Sequence, residues 1–206
     1  MTKIKRKMKI YCMIFTVFLL IGCNHVEEGG KSNGSIALDT DSSEINKTSE
    51  APIEMEEFSE VWGQMPSFTA KDLEGNTVTE SIFAGKDLTV VNIWGTFCPP
   101  CIGEMPELGE WAKTMPDNVQ MVGLIIDING EDDTTHRDLA VTITESAEAE
   151  YTQIIANGDF ADILKGVVGV PTTLFVDKDG NLVGEPIVGA YVDGYKAFVE
   201  EYLSGQ

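Results

Sequence analysis

The segment Leu88-Thr89-Val90-Val91-Asn92-Ile93-Trp94 is a β-branched, apolar run with the length of a buried strand, and it stops at Gly95-Thr96-Phe97. Beyond it, Ile102, Met105, Leu108 and Trp111 or Ala112 recur at helical spacing, which predicts a helix directly after the strand. Met121-Val122-Gly123-Leu124-Ile125-Ile126-Asp127 predicts a second buried strand, 134–150 a helix, 151–156 a short strand and 159–167 another helix. Residues 172–176 and 182–188 predict a hairpin around Asp177-Lys178-Asp179-Gly180-Asn181, and 195–203 an amphipathic closing helix. A parallel strand pair joined to an antiparallel hairpin, with helices on both faces, makes this an α/β domain with a central mixed sheet.

The first 57 residues follow a different pattern. Basic residues Lys3, Lys5, Arg6, Lys7 and Lys9 precede an apolar run at 10–21, the order of a secretory signal. That run is shorter than the roughly 20 apolar residues of a membrane span. It ends in Leu20-Ile21-Gly22-Cys23, which resembles the lipobox of bacterial lipoproteins, where the chain is cut before a lipid-bearing cysteine. The resemblance implies a signal at 1–22 and lipidation at Cys23; the alternative is an uncleaved signal anchor with an incidental cysteine. Residues 24–57 are mostly Gly, Ser, Asn, Thr, Asp and Glu, so their ordering entropy would exceed what burial could recover. They read as a tether, completing a lipidated and flexible segment at 23–57 ahead of one domain at 58–206. For some 30 flexible residues the expected reach is roughly 30 Å.

With 206 residues and 43% hydrophobic content, the chain has material for one domain with a real core. The stretch before Gly22 carries five of the 14 basic residues and no acid, so the remainder holds nine basic against 34 acidic residues, a net of −25. Such a surface repels phosphate backbones, which argues against a nucleic-acid partner.

Of the four cysteines, Cys12 lies in the signal and Cys23 at the lipobox, which leaves Cys98 and Cys101 as a pair. The ring they would close is too small to staple a fold by restraining the unfolded chain, which suits a bond made to be broken. A zinc site would need two further ligands, and the histidines are His25, in the tether, and His136. The pair lies where a strand ends and a helix begins. Free N–H groups and the helix dipole favour a thiolate on Cys98 there, and Cys101, one turn in, is placed to resolve a mixed disulfide. Pro99 and Pro100 are tolerated because first-turn N–H groups have no intrahelical partner.

The segment Trp94-Gly95-Thr96-Phe97-Cys98-Pro99-Pro100-Cys101 resembles the thioredoxin active site, and Ile102-Gly103-Glu104-Met105-Pro106-Glu107-Leu108 resembles its continuation in the TlpA/ResA group. That group comprises membrane-anchored, outward-facing thiol-disulfide reductases. The resemblance spans roughly 60–203 and implies a thioredoxin-like fold. Pro106 falls where the family kinks its active-site helix, and Glu104 matches the acid the family keeps beside the cysteines. Gly169-Val170-Pro171-Thr172-Thr173 is similar to the loop whose cis-proline faces them. Residues 65–76 resemble an N-terminal β-hairpin extension shared with peroxiredoxins. A peroxidase would need a Thr where Gly95 stands and an Arg near the thiolate, whereas the sole arginine after the signal is Arg137.

The resemblance implies that Cys98 attacks, Cys101 resolves and Glu104 assists proton transfer. Phe97, Pro99, Pro100, Val170 and Pro171 would contact substrate, with Trp94 in support unless, as a Trp ending an apolar strand, it packs inside. Phe97 departs from the tryptophan that thioredoxins place before the first cysteine, keeping the apolar contact but losing an indole donor. The expected activity is reduction of disulfides in exported proteins, using the cysteine couple and no cofactor or metal. By resemblance, a CcdA-like membrane thiol donor would supply electrons. The substrates would be apocytochrome c or another exported protein such as an extracellular methionine sulfoxide reductase. The alternative from another class is a non-catalytic lipoprotein interaction module that keeps the fold and a permanent disulfide.

Overall fold

The structure, a computed structural model, describes residues 63–205. The signal, Cys12, Cys23, His25 and the tether lie outside the described residues. Seven strands form one mixed sheet: β1 (Thr69–Asp72), β2 (Thr77–Thr79), β3 (Leu88–Trp94), β4 (Val119–Ile125), β5 (Gln153–Ile155), β6 (Thr172–Asp177) and β7 (Ile187–Val188). Their order is β2-β1-β5-β4-β3-β6-β7. The central pair β3 and β4 is parallel with Val91 opposite Val122, β4 and β5 are parallel, and β6 runs antiparallel to β3 with Val91 opposite Leu174. The helices are α1 (Pro99–Ala112), α2 (Thr134–Ser146), α3 (Ala161–Leu164) and α4 (Val192–Ser204).

Alternation along β3 divides the core. Val91 and Ile93 pack with Phe68, Phe83, Phe160 and Ile163 on one face. Leu88, Val90 and Trp94 point to the other, against Cys101, Met105 and Leu108 of α1 and Tyr195 and Val199 of α4. Strand β3 is buried along its whole length, as a central strand covered on both faces must be. The N-terminal hairpin is present, β1 pairing with β2 around Gly75 at φ 87° and docking antiparallel on β5. It thereby extends the main sheet. Among the described residues no helix is long and apolar enough to cross a membrane.

Several element ends differ from the sequence expectation. The helix expected at 134–150 stops at Ser146, and Glu148 adopts a left-handed φ of 50°. The turn is needed because the carbonyls of Ala147 and Glu148 press on Gly109 of α1, where a Cβ would come within 2.7 and 2.9 Å of them. The helix expected at 159–167 shortens to a 3-10 turn at Gly158–Phe160 and the single turn of α3. The strand expected at 182–188 reduces to β7 and a lone bridge between Val176 and Leu182. Between them Gly184 takes φ 71° against the Phe198 ring and Pro186 has no N–H for a ladder.

Candidate active site

Strand β3 ends at the C-terminal end of the central parallel strands, and the loop 95–97 turns the chain into α1. Asp127, just past β4, holds that loop by accepting from Thr96 N at 2.9 Å and from Thr96 Oγ1 at 2.6 Å. The Phe97 ring lies over Gly95, where any Cβ would meet it at 2.5 Å, so the bare Gly95 lets the ring lie flat, and Phe97 is 64% exposed. Cys98 is the N-cap of α1 and Pro99 and Pro100 fill its first positions. Cys98 and Cys101 are joined by a disulfide, Cα–Cα 5.3 Å. Cys98 Sγ accepts from Cys101 N at 3.2 Å, the one backbone donor left at this helix start after two prolines. Cys101 is fully buried, and Cys98 lies at the rim beneath exposed Phe97, Pro99 and Pro100.

Facing the disulfide is the loop before β6. The Val170–Pro171 peptide bond is cis, and the Val170 carbonyl lies 3.4 Å from Cys98 Sγ. Thr172 Oγ1 donates to Gly169 O at 2.6 Å and Gly189 N donates to Pro171 O at 2.8 Å, bracing the loop from both sides. The structure therefore brings Cys98, Cys101, Phe97, Val170 and Pro171 together, although they come from distant parts of the chain.

Two residues have environments the sequence left open. Trp94 is fully buried, and its Nε1 donates to Gln153 Oε1 at 3.0 Å. The sequence reading expects it among the substrate-contacting residues, in support unless packed inside; here it packs inside, because a Trp closing a doubly covered strand is held by the core. Glu104 is buried, with 6% exposure, on the inner face of α1. It accepts from Asn92 Nδ2 at 2.9 Å and from the Tyr195 hydroxyl at 3.1 Å. Burial raises its pKa from 4.5 to about 7, against the lowering effect of those two hydrogen bonds, and the nearby charge of Glu107 raises it slightly. A carboxyl poised near neutrality one turn from the resolving cysteine can hold or release a proton at working pH.

Asn92, Thr173 and Tyr195 complete this network and were not singled out from the sequence. Asn92 Nδ2 also donates to Thr173 Oγ1 at 3.1 Å. The available signal was Asn92 itself, an amide in the middle of an apolar strand, which must find partners when buried. Among the described residues no group of His, Cys, Asp and Glu is placed to hold a metal ion.

Comparison with known proteins agrees with this geometry. Residues 61–197 match the Redoxin family model. The chain is 33% identical over 152 residues to the thiol-disulfide oxidoreductase ResA of Bacillus thuringiensis, covering 72% of this chain and 79% of that protein. The thioredoxin domain of a Bacteroides vulgatus thiol-disulfide oxidoreductase superposes with a TM-score of 0.55 at 26% identity, covering 68% of this chain and 96% of that one. A thiol:disulfide interchange protein from Bacteroides sp. gives 0.55 at 25% identity, covering 69% and 89%. The chain belongs to the redoxin family and, within it, to the ResA-like thiol-disulfide oxidoreductases of thioredoxin-like fold.

Proposed function

We propose that this oxidoreductase works outside the cytoplasm, held to the membrane by lipid on Cys23, and reduces disulfides of exported proteins. The observation that carries the redox reading is the Cys98–Cys101 disulfide at the start of α1, facing cis-Pro171 across 3.4 Å from Sγ to the Val170 carbonyl. In the reduced enzyme, Cys98 Sγ attacks a substrate disulfide, one substrate sulfur leaves as thiolate, and a mixed disulfide forms. Cys101 Sγ then attacks Cys98, re-forming the internal disulfide and releasing the second substrate sulfur. Two electrons pass to the substrate, and its thiolates take up two protons. Glu104, one helical turn past Cys101 and buried with a pKa near neutrality, is suited to take the Cys101 proton.

Exposed Phe97, next to Cys98 in the chain, gives the site an apolar border suited to a peptide rather than a small thiol. A CcdA-like membrane thiol protein would restore the dithiol. Apocytochrome c and an extracellular methionine sulfoxide reductase are the substrate classes that the family resemblance supports. Insulin reduction with dithiothreitol tests the enzyme reading: acceleration that disappears in Cys98→Ser is expected, and no acceleration by the wild type would overturn it. Trapping on Cys101→Ser in cells should yield mixed disulfides with exported proteins; recovery of cytoplasmic partners alone would refute the location.

A further inference from the structure

Tyr195 reaches from the first turns of α4 across the sheet face and is fully buried. Its hydroxyl has one proton and two acceptors, Gly189 O at 2.7 Å and Glu104 Oε2 at 3.1 Å. The same oxygen accepts from Tyr191 N at 3.2 Å and from the side chain of Thr173. Gly189 in turn donates its N–H to Pro171 O at 2.8 Å. A single phenol thus joins the buried acid of α1 to the 189–191 loop, and that loop braces the cis-proline opposite Cys98.

The geometry points to Tyr195 as a positioning residue that transmits the ionisation of Glu104 to the loop bracing Pro171. This rests on the oxidoreductase reading above for its purpose. No covalent bond changes; one O–H reorients. When Glu104 is neutral, the phenol donates to the nearer Gly189 carbonyl and holds the loop. When Glu104 ionises, a charged acceptor competes for the same proton, because charge-assisted hydrogen bonds are roughly twice as strong as neutral ones. Gly189 O then loses its donor, and the brace on Pro171 slackens. Proton transfer at the cysteine pair would in this way be felt at the substrate groove.

The ionisable groups around Glu104 are few. Glu107 on its own helix, Tyr195 on α4 and the buried Tyr151 ahead of β5 sense or modify its charge. Neutral Asn92 of β3 bonds it directly, and neutral Thr173 of β6 bonds Asn92 and the Tyr195 hydroxyl. Lys196, next to Tyr195, is committed to Glu107 at 2.6 Å. In the oxidised protein the cysteines carry no charge, so a titration there is free of the thiols.

The test is NMR of the oxidised, isotope-labelled protein between pH 5.5 and 8.5. The side-chain amide of Asn92 reports Glu104 directly, while the Gly189 and Tyr191 backbone amides report the loop. In the wild type all three should shift with one midpoint, and protection of the Gly189 amide should fall several-fold as pH rises through it. In Tyr195→Phe the Asn92 signal should still titrate while the loop amides do not, and in Glu104→Gln neither should. Loop amides that keep the Asn92 midpoint in Tyr195→Phe, or that stay flat in the wild type, would overturn the inference. Should Tyr195→Phe fail to fold, the Tyr195 ring Cζ of the wild type carries the test: it must share the Asn92 midpoint, and a flat response would refute the link. None of these signals depends on turnover, so the relay can fail with insulin reduction intact, and the reverse.

Discussion

Replacing Glu104 by Gln should make the oxidised protein's stability less dependent on pH, by an amount that follows from its burial. The folded protein holds the Glu104 proton up to about pH 7, whereas the unfolded chain releases it near 4.5. Between those values the native state binds more protons, so the associated stability is full below 4.5, falls as pH rises, and is lost once pH passes about 7. Carrying the pKa from 4.5 to about 7 corresponds to about 3 kcal/mol in all, of which about 2 kcal/mol is lost between pH 5 and pH 8 because part has already gone by pH 5. Glu104→Gln keeps the shape and can still accept from Asn92, but has nothing to titrate. Urea unfolding of both proteins at pH 5 and pH 8, with the disulfide intact, measures the difference. Groups such as Asp133, held down to about 2 by the Asn129 N–H and His136, titrate alike in both proteins and cancel. The stability advantage of the wild type at pH 5 should shrink or reverse by about 2 kcal/mol at pH 8. Parallel pH profiles would show that Glu104 is not buried as an uncharged acid.

Other substitutions probe the frame around the site. Gly109→Ala places a Cβ within 2.7 Å of the Ala147 carbonyl, a backbone atom that cannot swing aside, and should cost about 1–3 kcal/mol in chemical denaturation. Trp94→Phe removes the donor to the buried Gln153 Oε1 and should cost about 1–3 kcal/mol, while insulin reduction per folded molecule stays near the wild-type rate. Cys23→Ala should move the protein from the membrane fraction to the soluble one; unchanged processing and membrane binding would refute the lipid anchor.

The catalytic segment was legible because its chemistry is local. A strand, a turn, two prolines that tolerate a helix start and a cysteine pair three apart all lie within 88–101. Pro171 was legible only through resemblance, since nothing near it in sequence says that it faces Cys98. Trp94 could be read either way, because an aromatic at a strand end looks the same whether it packs or projects; the cover on both faces of β3 decides it. Tyr195 was beyond local reading. It lies 91 residues from Glu104, and its sequence context is that of any apolar position on an amphipathic helix. The shortened elements have a related cause, since the stop at Ser146 answers to Gly109 on another helix and the gap in the last hairpin answers to Phe198. Periodicity finds an element, and tertiary contacts decide where it ends.

The proposed reductase activity requires the Cys98–Cys101 couple to be a reductant, which its reduction potential decides. Whatever stabilises the Cys98 thiolate makes the disulfide more oxidising. Here Pro99 and Pro100 offer no N–H, no His or Lys lies between the cysteines, and the donor seen at Cys98 Sγ is the Cys101 N–H at 3.2 Å. Equilibration with glutathione or dithiothreitol buffers at pH 7 should place the couple nearer the roughly −270 mV of thioredoxin than the roughly −120 mV of a strong periplasmic oxidase. A value close to the oxidase would contradict the reductase assignment while leaving the fold and the site geometry unchanged.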